Sequence, residues 1–302
     1  MEIHFYNRIT DAVEKEKVYG DKMVEWLYQT DSGKGVSSIA CKASISKIYG
    51  AIQDTPFSRR KIAPFIANFN ISMDEYLPEE GRNSLSPYSS FNKFFIRRFK
   101  EGRRSFQENE SEMAAFSEAR YFGYSSVQDE ERVPVKGCFL SSKALLQNSL
   151  WEETFQDGPL LLARLCPVDY HRFHYPDDGI ILDDYRVAGL LHSVNPIALK
   201  AKQDILITNE RHVTILETKN FGKLAYIEVG AICVGRIVQS KKLVKGERFK
   251  RGEEKGYFLF GGSTVIVIGE KGKWTPSEDI LNYTKKGMET YLHLGMTVAK
   301  RG

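Results

Sequence analysis

Apolar residues recur with two different spacings along the chain, and the change falls near residue 110. Before it, the spacing is that of helices. Ile45, Ile48, Tyr49 and Ile52 follow one another at i, i+3, i+4 and i+7, with lysines and serines filling much of the opposite face. This predicts a helix over 36–52, behind a chain break at 30–35. A second helix is predicted near Pro64, since proline suits a first turn, with Phe65, Ile66 and Phe69 as its apolar positions. A third is predicted over 90–100, where Phe91, Phe94, Phe95 and Phe99 share one face and Gly102 stops the helix.

Beyond about residue 111 the apolar residues come in short runs, at 160–165, 213–216, 224–229 and 265–268. Glycines 222, 230, 235, 246 and 252 punctuate them, the pattern of antiparallel strands joined by tight turns. A short helix is expected over 141–150. Two apolar runs flank Gly261-Gly262-Ser263-Thr264, which predicts two strands, or one bent strand, around a glycine-softened hairpin corner. The expected fold is α+β: a helical region over 1–110, then a mainly antiparallel β domain over 111–302.

Composition changes this picture little. Hydrophobic content of 42%, charged content of 27% and a net charge of +4 belong to a soluble globular protein, with too little excess charge to argue for nucleic acid. Cys41, Cys138, Cys166 and Cys233 form no Cys-x-x-Cys pair and read as buried thiols in a reducing compartment. No apolar run approaches the roughly 20 residues that span a bilayer. The first residues lack the basic and apolar regions of a signal peptide, so a cytoplasmic or peripheral protein is expected. The helix over 90–100 carries Lys93, Arg97, Arg98 and Lys100 beside its phenylalanines, with Arg103 and Arg104 just beyond it. Its aromatic face suits packing on the core, contact with a lipid interface or single-stranded nucleic acid. The last lacks a continuing basic groove.

Chemistry concentrates in two places. The stretch 166–176 sets His171 and His174 three apart, beside Asp169, Arg172, Tyr170 and Tyr175. His171, His174 and Asp169 could ligate a metal, the histidines could bond backbone near Pro176, or an imidazole could do acid–base work. Ser263, His174 and Asp169 could also make a hydrolase triad, although Val265 stands where a Gly-x-Ser-x-Gly elbow needs glycine.

Taken in order, the stretches resemble the phosphatidylserine decarboxylase family over about Tyr88 to Gly269. They are Phe91-Asn92-Lys93-Phe94-Phe95-Ile96-Arg97-Arg98, Asp169-Tyr170-His171-Arg172-Phe173-His174-Tyr175-Pro176 and His192-Ser193-Val194-Asn195-Pro196. Phe221-Gly222, Glu228-Val229-Gly230-Ala231, Val234-Gly235 and Gly252-Glu253-Glu254-Lys255-Gly256-Tyr257-Phe258 follow, and Gly261-Gly262-Ser263-Thr264 completes the set. The resemblance implies a proenzyme that cleaves itself between Gly262 and Ser263. Ser263 becomes a covalent pyruvoyl group, the cofactor, and no metal is implied. His174 would activate Ser263, and His171 would lie near the substrate. The resemblance further implies phosphatidylserine at an anionic membrane surface as partner, a peripheral place on its cytoplasmic side, and cleaved chains that stay together as a heterodimer. The region 1–110 is the candidate membrane-associating part, 111–302 the catalytic domain, and a homo-oligomer is left open. A relative acting on a soluble amino acid, or a non-processing lipid-binding one, are the alternatives. One departure stands out: where the family carries Pro-x-Asp-Gly, this chain reads Phe116-Ser117-Glu118-Ala119. Glu118 keeps the carboxylate expected to orient the processing histidine, on a stem one methylene longer.

Overall fold

The strands are built from the apolar runs. A computed structural model of the chain describes residues 2–17, 26, 30, 50–126, 140–194, 196–202, 204–231, 237–260 and 263–302. In chain order they are β1 (His4–Asn7), β2 (Ala12–Lys15), β3 (Glu112–Ala114), β4 (Ala119–Tyr124), β5 (Leu160–Leu165), β6 (Arg172–His174), β7 (Gly179–Val187) and β8 (Arg211–Thr218). There follow β9 (Gly222–Val229), β10 (Ile237–Gln239), β11 (Arg248–Phe249), β12 (Glu254–Phe258), β13 (Ser263–Gly269), β14 (Trp274–Pro276), β15 (Glu289–Leu292) and β16 (Thr297–Arg301).

A ten-stranded sheet runs β11-β7-β8-β9-β13-β5-β4-β15-β1-β2, and smaller sheets run β10-β12-β6 and β14-β16-β3. Among the described strands, all pairings but the parallel β1–β15 are antiparallel. The expected α+β class with a mainly antiparallel sheet is therefore observed. Every residue of β13 is buried, as is every residue of β5. A sheet covered on both faces selects unbroken apolar runs over alternation, which is why Val265-Ile266-Val267-Ile268 and Leu160-Leu161-Leu162 read so plainly. The division near residue 110 is crossed at the start of the chain, because the β1–β2 hairpin lies at an edge of the large sheet.

Three expectations are corrected. First, Gly261-Gly262-Ser263-Thr264 does not join a hairpin: β12 pairs with β10 and β6, whereas β13 pairs with β9 and β5. The chain passes there from one sheet to another. Second, the helix expected over 90–100 spans only Phe91–Phe95, capped by the Ser90 hydroxyl, which accepts from Lys93 N. Phe99 instead bridges Tyr76, with Leu77 N donating to Arg98 O and Lys100 N to Glu75 O, both at 2.8 Å. This strand-like pairing supplies the backbone partners a longer helix would have supplied. Third, the helix expected over 141–150 is two, Ser142–Leu146 and Ser149–Glu152, parted by a left-handed Gln147 at φ 48°.

The helix near Pro64 spans Ile62–Phe69. Most of the helix expected over 36–52 lies outside the described residues, as do Cys41, Cys138, Cys233 and the glycine pair 261–262. The phenylalanines of the Phe91–Phe95 helix are core residues. Phe91, Phe94 and Phe95 are buried with Ile62, Phe65 and Phe260 in one cluster, separate from the main core. Each such side chain contributes about 1.5–3 kcal/mol by leaving water, so this cluster fastens the helical region to the chain just ahead of Ser263.

Candidate active site

Ser263 opens β13 and is fully buried, opposite Leu165 of β5. Its hydroxyl lies 3.4 Å from Nδ1 of His171. On the other side of that ring, Nε2 lies 2.9 Å from the Cys166 carbonyl oxygen. A carbonyl only accepts, so Nε2 carries the proton and donates it. Nδ1 is then the bare nitrogen and accepts from the serine hydroxyl. Burial, reinforced by the nearby charge of Arg97, lowers the His171 pKa to about 3. The ring is neutral at physiological pH and available as a base.

The ring is held from several sides. Phe95 stacks on it at 3.7 Å between centroids and 22° between planes. The turn that supplies the Cys166 carbonyl is folded around Asp169, whose Oδ2 accepts from Cys166 N and from Arg120 Nη1, each at 2.7 Å. Burial raises the Asp169 pKa, and Arg120 opposes the rise. Arg97 Nη2 donates to the carbonyls of Val168 at 2.7 Å and Asp169 at 3.2 Å, tying the same turn to the end of the Phe91–Phe95 helix. Behind it, Arg164 bridges Glu16 at 2.6 Å and Glu289 at 2.5 Å. Burial pushes the Glu16 carboxyl up, but Arg164 and Arg120 outweigh it and hold the pKa at about 2. One more contact reaches the segment before Ser263: Asn92 Oδ1 accepts from Phe260 N at 2.8 Å, while Asn92 Nδ2 donates to Asp54 at 2.8 Å.

His174 sits elsewhere. Its Nδ1 lies 2.9 Å from Gly252 O, and its Nε2 lies 3.3 Å from the Tyr170 hydroxyl. Burial lowers its pKa as well. Residues one apart on a strand point to opposite faces, and so do residues three apart. A His-x-x-His on β6 and its approach therefore aims its two rings in different directions. Nor does Asp169 join them, because its carboxylate faces Arg120. The metal and triad groupings legible in the sequence are thus pulled apart.

Glu118 is buried, 3% exposed, and Arg104 holds it, with Nε 2.5 Å from Oε2 and Nη2 2.9 Å from Oε1. Tyr291 hydroxyl and Leu294 N donate to the same carboxylate, at 3.2 and 3.4 Å. Its segment touches the His174 backbone through the Phe116 carbonyl, which accepts from His174 N at 2.8 Å. No active-site role for Asn92, Phe95, Arg97 or Arg120 follows from the sequence alone. The clustering of Asn92, Phe95 and Arg97 in one short aromatic stretch was the available signal, and Arg120 gave none.

A family model described as phosphatidylserine decarboxylase matches residues 91–299. The phosphatidylserine decarboxylase proenzyme of Clostridium botulinum (strain Alaska E43 / Type E3) is 38% identical over 300 residues, covering 99% of each chain. That of Clostridium tetani (strain Massachusetts / E88) is 38% identical over 299 residues, covering 99% of this chain and 98% of its own. That of Desulfitobacterium hafniense (strain Y51) is 37% identical over 300 residues, covering 99% and 98%.

Proposed function

The chain belongs to the phosphatidylserine decarboxylase family, and we propose that it is a proenzyme that cuts itself between Gly262 and Ser263 and then converts phosphatidylserine to phosphatidylethanolamine and CO2. The observation that carries this reading is the buried Ser263 hydroxyl directed at the bare Nδ1 of His171. His171 takes the hydroxyl proton, and Ser263 Oγ attacks the carbonyl carbon of Gly262. The amide bond between 262 and 263 breaks, an ester forms, and the freed amine of Ser263 receives the proton. Loss of the Ser263 α-proton then expels the Gly262 carboxylate and leaves a dehydroalanine, which hydrolyses to a pyruvoyl group and ammonia.

The residues present fit such a group: position 263 is fully buried at the head of a central strand, beside a neutral imidazole. The pyruvoyl carbonyl supplies an electron sink for loss of carbon dioxide from an amino acid head group. The tautomer of His171 makes Nδ1 an acceptor, so any proton His171 gives up from that nitrogen is one it has first taken. Phe95 and the Cys166 carbonyl keep its ring in place through both stages.

This reading includes a peripheral place at the cytoplasmic face of a membrane. No helix among the described residues is long and apolar enough to cross one. Phe57 is 63% exposed and Leu85 92% exposed, and Arg59, Arg60 and Arg82 lie near them in sequence. Apolar tips with neighbouring bases are what an anionic lipid surface attracts. Intact mass of the purified protein tests the reading. The expected result is a short chain beginning at position 263 with a blocked amino terminus, together with CO2 release from phosphatidylserine vesicles. Full-length chain alone after prolonged incubation overturns it.

A further inference from the structure

The chemistry above uses one face of the strand pair β6–β12. Alternation places His171 and Phe173 on that face and Arg172 on the other, in register with Tyr257. Against the Arg172 face lies a cleft of about 630 Å³ lined by five cations, Arg82, Lys93, Arg97, Arg98 and Arg172, and by only two carboxylates, Glu79 and Glu80. Glu79 is shared between Arg82 at 3.5 Å and Lys93 at 3.6 Å. Arg172 is satisfied by both oxygens of Glu254 at 2.8 Å.

Arg97 is different. It is 1% exposed, its guanidinium donates to the carbonyls of Phe94, Val168 and Asp169, and its Nε has no partner among the described residues. The rings of Tyr76 and Phe94, 4.4 and 4.8 Å from its Cζ, stabilise it in part. A buried cation without a counter-ion remains costly. Next to it, Arg98 is exposed and makes no ion pair among the described residues. The guanidinium groups of Arg97 and Arg98, with Lys93 lining the same cleft, suit the oxygens of a phosphate.

We propose that this cleft, on the face of β6–β12 opposite the one used at Ser263, is an anion site which takes a phosphate oxyanion. Its rim bears on where the phosphate comes from. Leu77 lines the cleft and is 42% exposed. The loop that carries Glu79 and Arg82, closed by Glu79 N donating to Pro87 O at 2.8 Å, raises Leu85 to 92% exposure. A cationic cleft with an apolar rim matches a phospholipid head group at the start of its acyl region. A soluble phosphate ester offers the same oxyanion without the apolar part.

The test uses the full chain and a Lys93→Gln, Arg98→Gln variant, both positions being exposed, with far-ultraviolet circular dichroism to verify folding. Inorganic phosphate is compared with chloride at matched ionic strength by its effect on the melting temperature, since a ligand of the native state raises it. Cosedimentation is measured with vesicles of phosphatidylglycerol in phosphatidylcholine and of phosphatidylcholine alone. Phosphatidylglycerol has no amine, so it cannot form the Schiff base that decarboxylation needs. The expected result is a rise in melting temperature with phosphate in the natural chain but not in the variant. Affinity for the anionic vesicles falls about fivefold for each cation removed. A phosphate response without a vesicle difference assigns the site to a soluble phosphate ester. Equal responses of the two proteins in both assays overturn the proposal.

Discussion

Two imidazoles three residues apart compete for one serine. Only His171 presents a bare nitrogen to Ser263, whereas both nitrogens of His174 are taken up by Gly252 and Tyr170. Removing a positioned general base costs roughly 10²–10⁴ in rate. His171→Gln is therefore expected to slow self-cleavage by that order, and His174→Gln by less than tenfold, measured as conversion to the short chain over time. The opposite ranking would return the base to His174, as the family resemblance implies. Acid pH gives a second readout at the same residue. His171 is neutral in the folded chain down to about pH 3, but in the unfolded chain it protonates near its ordinary 6.5. Its contribution to stability is thus complete above 6.5 and is lost as pH falls towards 3, at about 1.4 kcal/mol per pH unit. Cleavage in the folded protein should hold its rate through pH 6.5, where an exposed histidine base would lose half of it. A rate that halves there would mean the ring is open to water.

At the scale of elements, the Phe91–Phe95 helix matters less for its apolar face than for what Asn92 holds. That side chain joins Phe260, just ahead of the cleavage point, to Asp54 in the helical region. Asn92→Ala leaves a buried backbone N–H without its partner, at about 1–3 kcal/mol. Urea denaturation should show that loss together with slower cleavage, and unchanged cleavage would mean the Phe91–Phe260 packing alone positions the segment. Strands β5, β8, β9 and β13 were legible because burial on both faces leaves its mark in the local sequence as unbroken apolar runs. The helix expected over 90–100 ends early for a reason that local sequence does not carry. Phe99 fits the helical face by spacing, but pairing with Tyr76 claims it, and a contact 23 residues away leaves no local trace. The Ser263–His171 contact was hidden in the same way. Both histidines and the serine stand out in the sequence, while the choice between the rings depends on which face of β6 looks towards β13.

For the whole molecule, the cut at 262/263 would divide the chain without dividing the fold. Residues 263–302 supply β13, paired on both sides by β9 and β5, and β15, which lies between β4 and β1. They also supply the helix Glu278–Lys285, packed on β4. The two cleaved chains are expected to elute together in native size-exclusion chromatography and to part only in denaturant; separation under native conditions would contradict the sheet order. The passage of the chain from β12 in one sheet to β13 in another gives the cut a direction in time. Among the described residues the pairings of β12 and of β13 lie in different sheets, so the cut would fall between two separate sets of strand pairs. Nothing in those ladders holds the two new ends against each other. Rejoining would have to bring together ends whose high local concentration came from the bond itself. With the amide nitrogen lost as ammonia in the proposed sequence and the flanking strands anchored in different sheets, the chain would open once and stay open.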